Sequence, residues 1–499
     1  MTNQNAGNQW RDLAALLIGA FAFRLFFLLA MPRVVDSPDA VHYIQLAERF
    51  TEGEWFARHA RLPVLLPLLG RFCYPLAGNM EWACRAVSFL ASGLLIIPVY
   101  GLSRRIHGVR TARIAAFLVA IWPWLADYAG RVTPEALATT LWFAGAVTLL
   151  YGVRRGGAWA FAAPLCYFAL HLARPEGLVL LIAAPVGAGV FLCYHSDQAR
   201  LRRLWPYAVT SGVLLALYAL YVKRAMGVLS VSTRIESASG AAGFVFEQWR
   251  AIARAAIQIP NEVLPVMIGP YFLLFAGVGV FRPSIERPRD LRAEAFVAYL
   301  CVVQCACAAL STYPAPRYLM PVVIAACLWT AQGIVAVSDQ AITLVRHRWL
   351  RWAPLGGAIL ILAAHTGITV LSEHVGQLPR EPREYKIAGE WMREHLEPGL
   401  IFVRKPEIGF YAGMQTTGPT NADTIETAIA RAREAGARYL VVDERYTAKM
   451  VPGLRPLLNP ENAPSALRLV RADLSPYPQG RIVIYEIADA APANTPPRE

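Results

Sequence analysis

Residues 36–67 read DSPDAVHYIQLAERFTEGEWFARHARLPVLLP and follow directly on the first long apolar run of the chain. The stretch is too rich in charge to enter a hydrocarbon core. Ser37 and Pro38 have the chemistry of a helix start, because a hydroxyl accepts an orphan N–H and proline loses nothing at the first position. Tyr43, Leu46, Ala47 and Phe50 then fall at i, i+3, i+4 and i+7, which predicts one apolar stripe on a short helix. Such a helix lies on a membrane surface or against a bundle. Asp39 falls in its first turn, where the helix dipole favours the ionised carboxylate. An ionised acid at a membrane interface therefore sets the question for the rest of the chain.

Working outward, the 499 residues are 56% hydrophobic with a mean hydropathy of +0.38. Apolar runs suggest spans near 13–31, 84–103, 112–129, 134–151, 158–173, 176–194, 205–222, 262–281, 293–311, 317–337 and 353–371. Each approaches the length of about 20 residues that crosses a core of about 30 Å. The fold class expected is mainly α, a polytopic membrane bundle of about 11 spans. The 158–194 region reads as a broken helix pair or a re-entrant segment around Arg174 and Pro175.

The net charge of +13 would suggest a nucleic-acid partner in a soluble chain. Here the arginines cluster in alternate short loops, which excludes that reading: Arg104, Arg105, Arg110 and Arg113; Arg154 and Arg155; Arg200, Arg202 and Arg203; Arg282, Arg287, Arg289 and Arg292; Arg346, Arg348 and Arg351. The positive-inside rule then places the N-terminus in the cytoplasm and residues 373–499 outside. A bacterial inner membrane is the expected location.

The segment 373–490 changes character. Helices are expected over Arg383–Leu396 and Asp423–Ala435, the second stopped by Gly436. Strands are expected over Leu400–Arg404, Tyr439–Val442, Leu467–Val470 and Arg481–Ile487. This predicts a small extracytoplasmic α/β domain that shapes acceptor access and carries no catalytic group. Residues 491–499 read as a disordered end. The membrane domain is expected over 1–372, with a functional first outer loop at 32–83.

The eight cysteines give no strong metal signal. Cys301, Cys305 and Cys307 sit in an apolar run with no His or acid nearby, which favours packing. No cofactor is expected, and a divalent metal is left open but not indicated.

With this topology the notable polar residues share one side. Asp36, Asp39, His42, His59 and Arg61 lie in the first outer loop; Arg131 and Glu135, Arg174 and Glu176, and Arg317 and Tyr318 lie at later outer turns. Each of those arginines either snorkels or pairs with a nearby acid, or together they form a site for an anionic ligand. Arg24, inside the first span, reads as a structural intra-bundle pair. His171 reads as a buried bundle residue.

The order of Asp39, Tyr43, Ala47, Phe50 and Gly53, followed by Arg61-Leu62-Pro63 through Pro67, resembles the GT-C superfamily of membrane glycosyltransferases. TPEAL (133–137), ARPEGL (173–178) and PRYLMP (316–321) resemble it at corresponding positions. The kin are protein O-mannosyltransferases and lipid A aminoarabinose transferases, and the resemblance spans essentially the whole chain. It implies a GT-C-like bundle that moves a sugar from a polyprenyl-phosphate carrier to a lipid, glycan or protein acceptor at the outer face. By the same resemblance a loop aspartate acts on the acceptor nucleophile and outer arginines hold the carrier phosphate. Tyr43, His42, Arg61, Arg131, Glu135, Arg174, Glu176, Arg317 and Tyr318 are the substrate-binding candidates. Many relatives carry two adjacent acids, whereas here Ala40 follows Asp39 and the other acid is Asp36. That weighs against a metal and leaves Asp39, then Asp36, as candidate bases. A transporter or flippase of a lipid-linked or anionic solute is the alternative, against which no inverted repeat is visible.

Overall fold

The computed structural model describes residues 2–31, 33–56, 63–193, 201–227, 229–230, 238–282, 290–311, 315–344, 348–376, 379–472, 474–477 and 479–488. The expected site positions His59 and Arg61, and the expected disordered end at 491–499, lie outside them. The chain divides into two compact units. One comprises Met1–Leu28 and Leu46–Thr366, the other Leu29–Gln45 and Gly367–Glu499. The start of the acidic stretch, with Asp36 and Asp39, thus groups with the C-terminal segment.

In the first unit every expected span falls on a helix. Among the described residues, seven helices are long and apolar enough to cross a membrane: Gln9–Ala30, Met80–Ile106, Glu135–Arg155, Trp205–Met226, Leu291–Leu310, Pro316–Ala341 and Trp349–Val375. The expected 112–129 span is a bent pair, Val109–Ala120 and Pro123–Ala129, at 55°. The 262–281 span is broken more sharply, Gln248–Ile268 meeting Pro270–Phe281 at 106°. The cause is local. Gly269 takes φ 84°, which only glycine adopts cheaply, and Pro270 has no N–H to continue the ladder. The 158–194 region is two shorter helices, Ala158–Ala173 and Glu176–Phe191, broken at Arg174 and Pro175.

Small residues let these helices approach. A Cβ on Gly279 would lie 1.9 Å from the Trp329 carbonyl oxygen, and one on Gly333 would lie 1.8 Å from that of Phe275. The Pro270–Phe281 and Met320–Leu344 helices therefore touch backbone to backbone. Arg24 is fully buried, but its partners differ from the acid a pairing would need. Its guanidinium donates to Ser92 Oγ at 2.8 Å and to the carbonyls of Val119 at 3.2 Å and Ala120 at 2.5 Å. It closes the C-terminal end of the Val109–Ala120 helix, whose last carbonyls have no intrahelical donors.

The second unit holds a five-stranded sheet of order β2-β1-β3-β5-β4. Its strands are β1 (Leu400–Val403), β2 (Thr416–Thr417), β3 (Ala437–Asp443), β4 (Leu467–Arg471) and β5 (Ile482–Ile487). The first three are parallel and the β3–β5 and β5–β4 pairs antiparallel. Strand β3 alternates its buried side chains between two cores. Leu440 and Val442 pack with Ala428 and Ile429 on one face, while Tyr439 and Val441 pack with Tyr385 and Met392 on the other. All four expected strands and both helices form, the helices as Arg383–His395 and Ile425–Glu434. Sequence reading missed the two-residue β2 and the short Pro406–Ala412 helix.

Candidate functional site

The acidic loop follows its sequence closely. Ser37 Oγ accepts the Ala40 N–H at 3.3 Å and starts the Pro38–Thr51 helix, with Asp39 in the first turn. Tyr43, Leu46, Ala47 and Phe50 are all buried, as the stripe requires. Leu46 and Phe50 pack with Val64. Asp39 and His42 face solvent and Asp36 is half-buried.

Within the same unit the C-terminal segment grips the residues just before Asp36. The Val35 N–H donates to Tyr411 Oη at 2.7 Å. Arg33 Nη1 lies 3.7 Å from Glu381 Oε1, with both side chains buried. Tyr411 belongs to the missed Pro406–Ala412 helix, and Glu407 stands one turn before it. Glu407 is fully buried, neither carboxyl oxygen makes a hydrogen bond, and Lys405 Nζ is 3.6 Å away. Lys405 also lies 3.8 Å over the Tyr446 ring. Burial pushes the Glu407 carboxyl above its ordinary range; Lys405 opposes this and the charge of Asp36 adds to it. A sequence signal existed, since proline followed by glutamate after Lys405 reads as a helix start.

In the first unit, three separate turns build a charged cluster. Glu135 opens the Glu135–Arg155 helix, Arg174 ends the Ala158–Ala173 helix, and Arg317 stands in the tight turn Pro316–Leu319. The Arg174 turn depends on Gly177, where a Cβ would sit 2.1 Å from the His171 nitrogen. Only glycine lets the second helix start so close to the first.

Arg174 Nη1 is 2.9 Å from Glu135 Oε1 and Nη2 is 2.8 Å from Glu176 Oε1. Arg317 Nε lies 3.7 Å from the same Glu135 oxygen. The Tyr318 ring is 4.4 Å from Arg174 and 5.3 Å from Arg317, and its carbonyl accepts from Gln304. Burial disfavours charge on Arg174, but Glu176 and Glu135 outweigh it and raise its pKa. The space between these side chains is about 10 Å³, enough for one water and too small for a phosphate. Exposure separates the two arginines: the Arg317 side chain is 32% exposed and that of Arg174 12%.

Five of the expected substrate-binding residues, Glu135, Arg174, Glu176, Arg317 and Tyr318, thus meet in one place. Arg131, just past the end of the Pro123–Ala129 helix, pairs instead with Asp127 of that helix at 3.1 Å. His171 is buried against Tyr218, ring centroids 5.1 Å apart. Sequence reading also missed Arg85, buried near the start of the Met80–Leu94 helix, which pairs with Glu81 at 2.5 Å and donates to the Gly130 carbonyl. No group of three or more His, Cys, Asp or Glu side chains fit to hold a metal occurs among the described residues.

Comparison with known proteins is consistent with this architecture. The family model described as dolichyl-phosphate-mannose-protein mannosyltransferase matches residues 61–222. No curated protein matches. The crystal structure of ArnT from Cupriavidus metallidurans in the apo state is 16% identical, covers 99% of this chain and 100% of its own, and gives a TM-score of 0.59. The same protein bound to undecaprenyl phosphate gives 15% identity, coverage of 98% and 99%, and a TM-score of 0.56. The Archaeoglobus fulgidus oligosaccharyltransferase tethered with an acceptor peptide is 14% identical over 89% of this chain and 72% of its own, with a TM-score of 0.60. Over its whole length this chain has the fold of the GT-C membrane glycosyltransferases, and over residues 61–222 it matches the model of the dolichyl-phosphate-mannose-protein mannosyltransferases.

Proposed function

We propose that this protein transfers a sugar from a polyprenyl-phosphate-linked donor to an acceptor at the outer face of a bacterial inner membrane. The N-terminus would be cytoplasmic and the C-terminal unit extracytoplasmic. The observation that carries the reading is the meeting of Arg174, Arg317 and Glu135 from three separate turns. Fixed guanidinium groups stabilise a departing phosphate without reorganising at the moment of reaction. Arg317 is the better direct contact, because Arg174 is already saturated by two carboxylates and serves to hold Glu135 and Tyr318 in place. Asp39, exposed at a helix start, is the proposed base for an acceptor hydroxyl or amine, with Asp36 assisting. One base and one departing phosphate suffice for a single displacement. The undecaprenyl phosphate held by the ArnT structure supports this class of carrier.

The decisive measurement is release of free polyprenyl phosphate from polyprenyl-phosphate sugars by the purified protein in detergent, with sugar appearing on an added acceptor extract. Movement of the intact donor across proteoliposomes with no release would favour the transporter reading and overturn this one.

A further inference from the structure

The helix that opens with Glu135 starts without a local fastening. No side chain caps it, and the hydroxyl of Thr133, just upstream, is buried and makes no hydrogen bond. The fastenings come from a different helix, Met80–Leu94. Arg85 donates to the Gly130 carbonyl, and Ser88 Oγ donates to the Thr133 carbonyl at 2.9 Å. Further along, Ser92 Oγ donates to the Leu125 carbonyl at 3.4 Å, and Thr140 Oγ1 returns a bond to the Ala91 carbonyl at 2.7 Å. Arg85, Ser88 and Ser92 stand at i, i+3 and i+7, so they form one stripe along the helix. All three are buried. Polar groups inside an apolar span cost free energy unless they are hydrogen-bonded, so such a stripe needs a reason. Here its donors reach the stretch 125–133, the chain that leads into Glu135. Glu81, 2.5 Å from Arg85, holds the guanidinium in place.

We propose that Arg85 and Ser88 are positioning residues for Glu135. From a separate helix they fix the turn 130–134, and through it the carboxylate that orients Arg174 and Arg317. Glu135 Oε1 is 2.9 Å from Arg174 Nη1 and 3.7 Å from Arg317 Nε. The space among these side chains is only about 10 Å³, so a shift of the turn is passed to the arginines and not absorbed by a void. The inference deepens the proposed function and rests on it for its kinetic readout.

Ser88→Ala removes the hydroxyl alone and is the main test. Per folded molecule it should lower kcat/KM for a polyprenyl-phosphate sugar about three- to tenfold, and Arg85→Gln should act in the same direction. In an Arg317→Ala background, Ser88→Ala should change kcat/KM by less than about twofold, because the contact it orients is already gone. An equal loss in both backgrounds, or parent kinetics in Ser88→Ala, would overturn the positioning role. Independently of any activity, Ser88→Ala should speed amide hydrogen exchange over 130–138 about three- to tenfold in the full-length protein in detergent. Unchanged exchange there would overturn the clasp. If the parent protein itself releases no polyprenyl phosphate, the functional reading fails, and the exchange measurement still decides the clasp.

Discussion

Arg174 and Glu135 form an ion pair at 2.9 Å although 39 positions separate them. Their side chains are 12% and 3% exposed, so water screens the pair little. Glu135 is also the acid nearest Arg317, which makes it the hinge on which both arginines turn. Removing it leaves Arg174 with Glu176 and leaves Arg317 without its 3.7 Å partner. Glu135→Ala should therefore destabilise the protein by about 3–5 kcal/mol, as breaking a buried pair does. A thermal melt in detergent measures it, and a melting temperature equal to that of the parent would refute it.

The two arginines should behave differently. Arg317→Ala should weaken donor use roughly ten- to a hundredfold, the loss of one charge-assisted contact of about 1.5–3 kcal/mol, with the melting temperature nearly unchanged. Arg174→Ala should lower both donor use and melting temperature. Lysine at 317 should restore function only in part, because it lacks the planar fork. Donor kinetics that match the parent in both alanine variants would reduce the cluster to a structural ion-pair network.

Asp39→Asn tests the base. Asparagine tolerates a helix start but accepts no proton, so expression and melting should hold while turnover falls about a hundredfold or more. Asp36→Asn should cost less. If the order is reversed, Asp36 is the base; if both variants turn over normally, the loop is not catalytic.

Asp443 provides the structural contrast. It is fully buried and accepts from Tyr385 Oη at 2.9 Å, from the Tyr446 N–H at 2.7 Å, and from Thr447. Asp443→Ala strands several buried donors and should cost about 3 kcal/mol or more of stability. Turnover per folded molecule should remain close to that of the parent. A loss matching that of Asp39→Asn in protein with a normal melt would place chemistry in the C-terminal unit.

Topology is checked by a reporter fused after Ser372. Activity only as an extracytoplasmic fusion is the expected result, because the arginine-rich loops anchor the other side. A reporter active only in the cytoplasm would invert the array and dissolve the shared outer face.

Periodic patterns were legible in the residues alone. The stripe Tyr43, Leu46, Ala47 and Phe50 is buried as its spacing demanded, and Ser37 caps as a hydroxyl before proline should. The long apolar runs became helices, and the short runs expected as strands in the C-terminal segment became β1, β3, β4 and β5. Each of these depends on interactions within a few residues, which a sequence displays directly. Even the break at Gly269 and Pro270 was written locally, though a hydropathy window averages across it.

Pairing across distance was not legible. Nothing near Arg174 distinguishes a snorkelling arginine from one held by Glu135, because the choice depends on how two helices pack around Gly177. Arg24 looked like half of an ion pair, and only the fold supplied carbonyls at the end of another helix in place of an acid. Glu407 and Tyr411 lay on a helix of seven residues, too short to show a period. Local propensity and periodicity belong to the chain itself. Which buried charges meet is decided by tertiary packing, since a carboxylate and a guanidinium hundreds of residues apart share an energy only once folding removes the water between them.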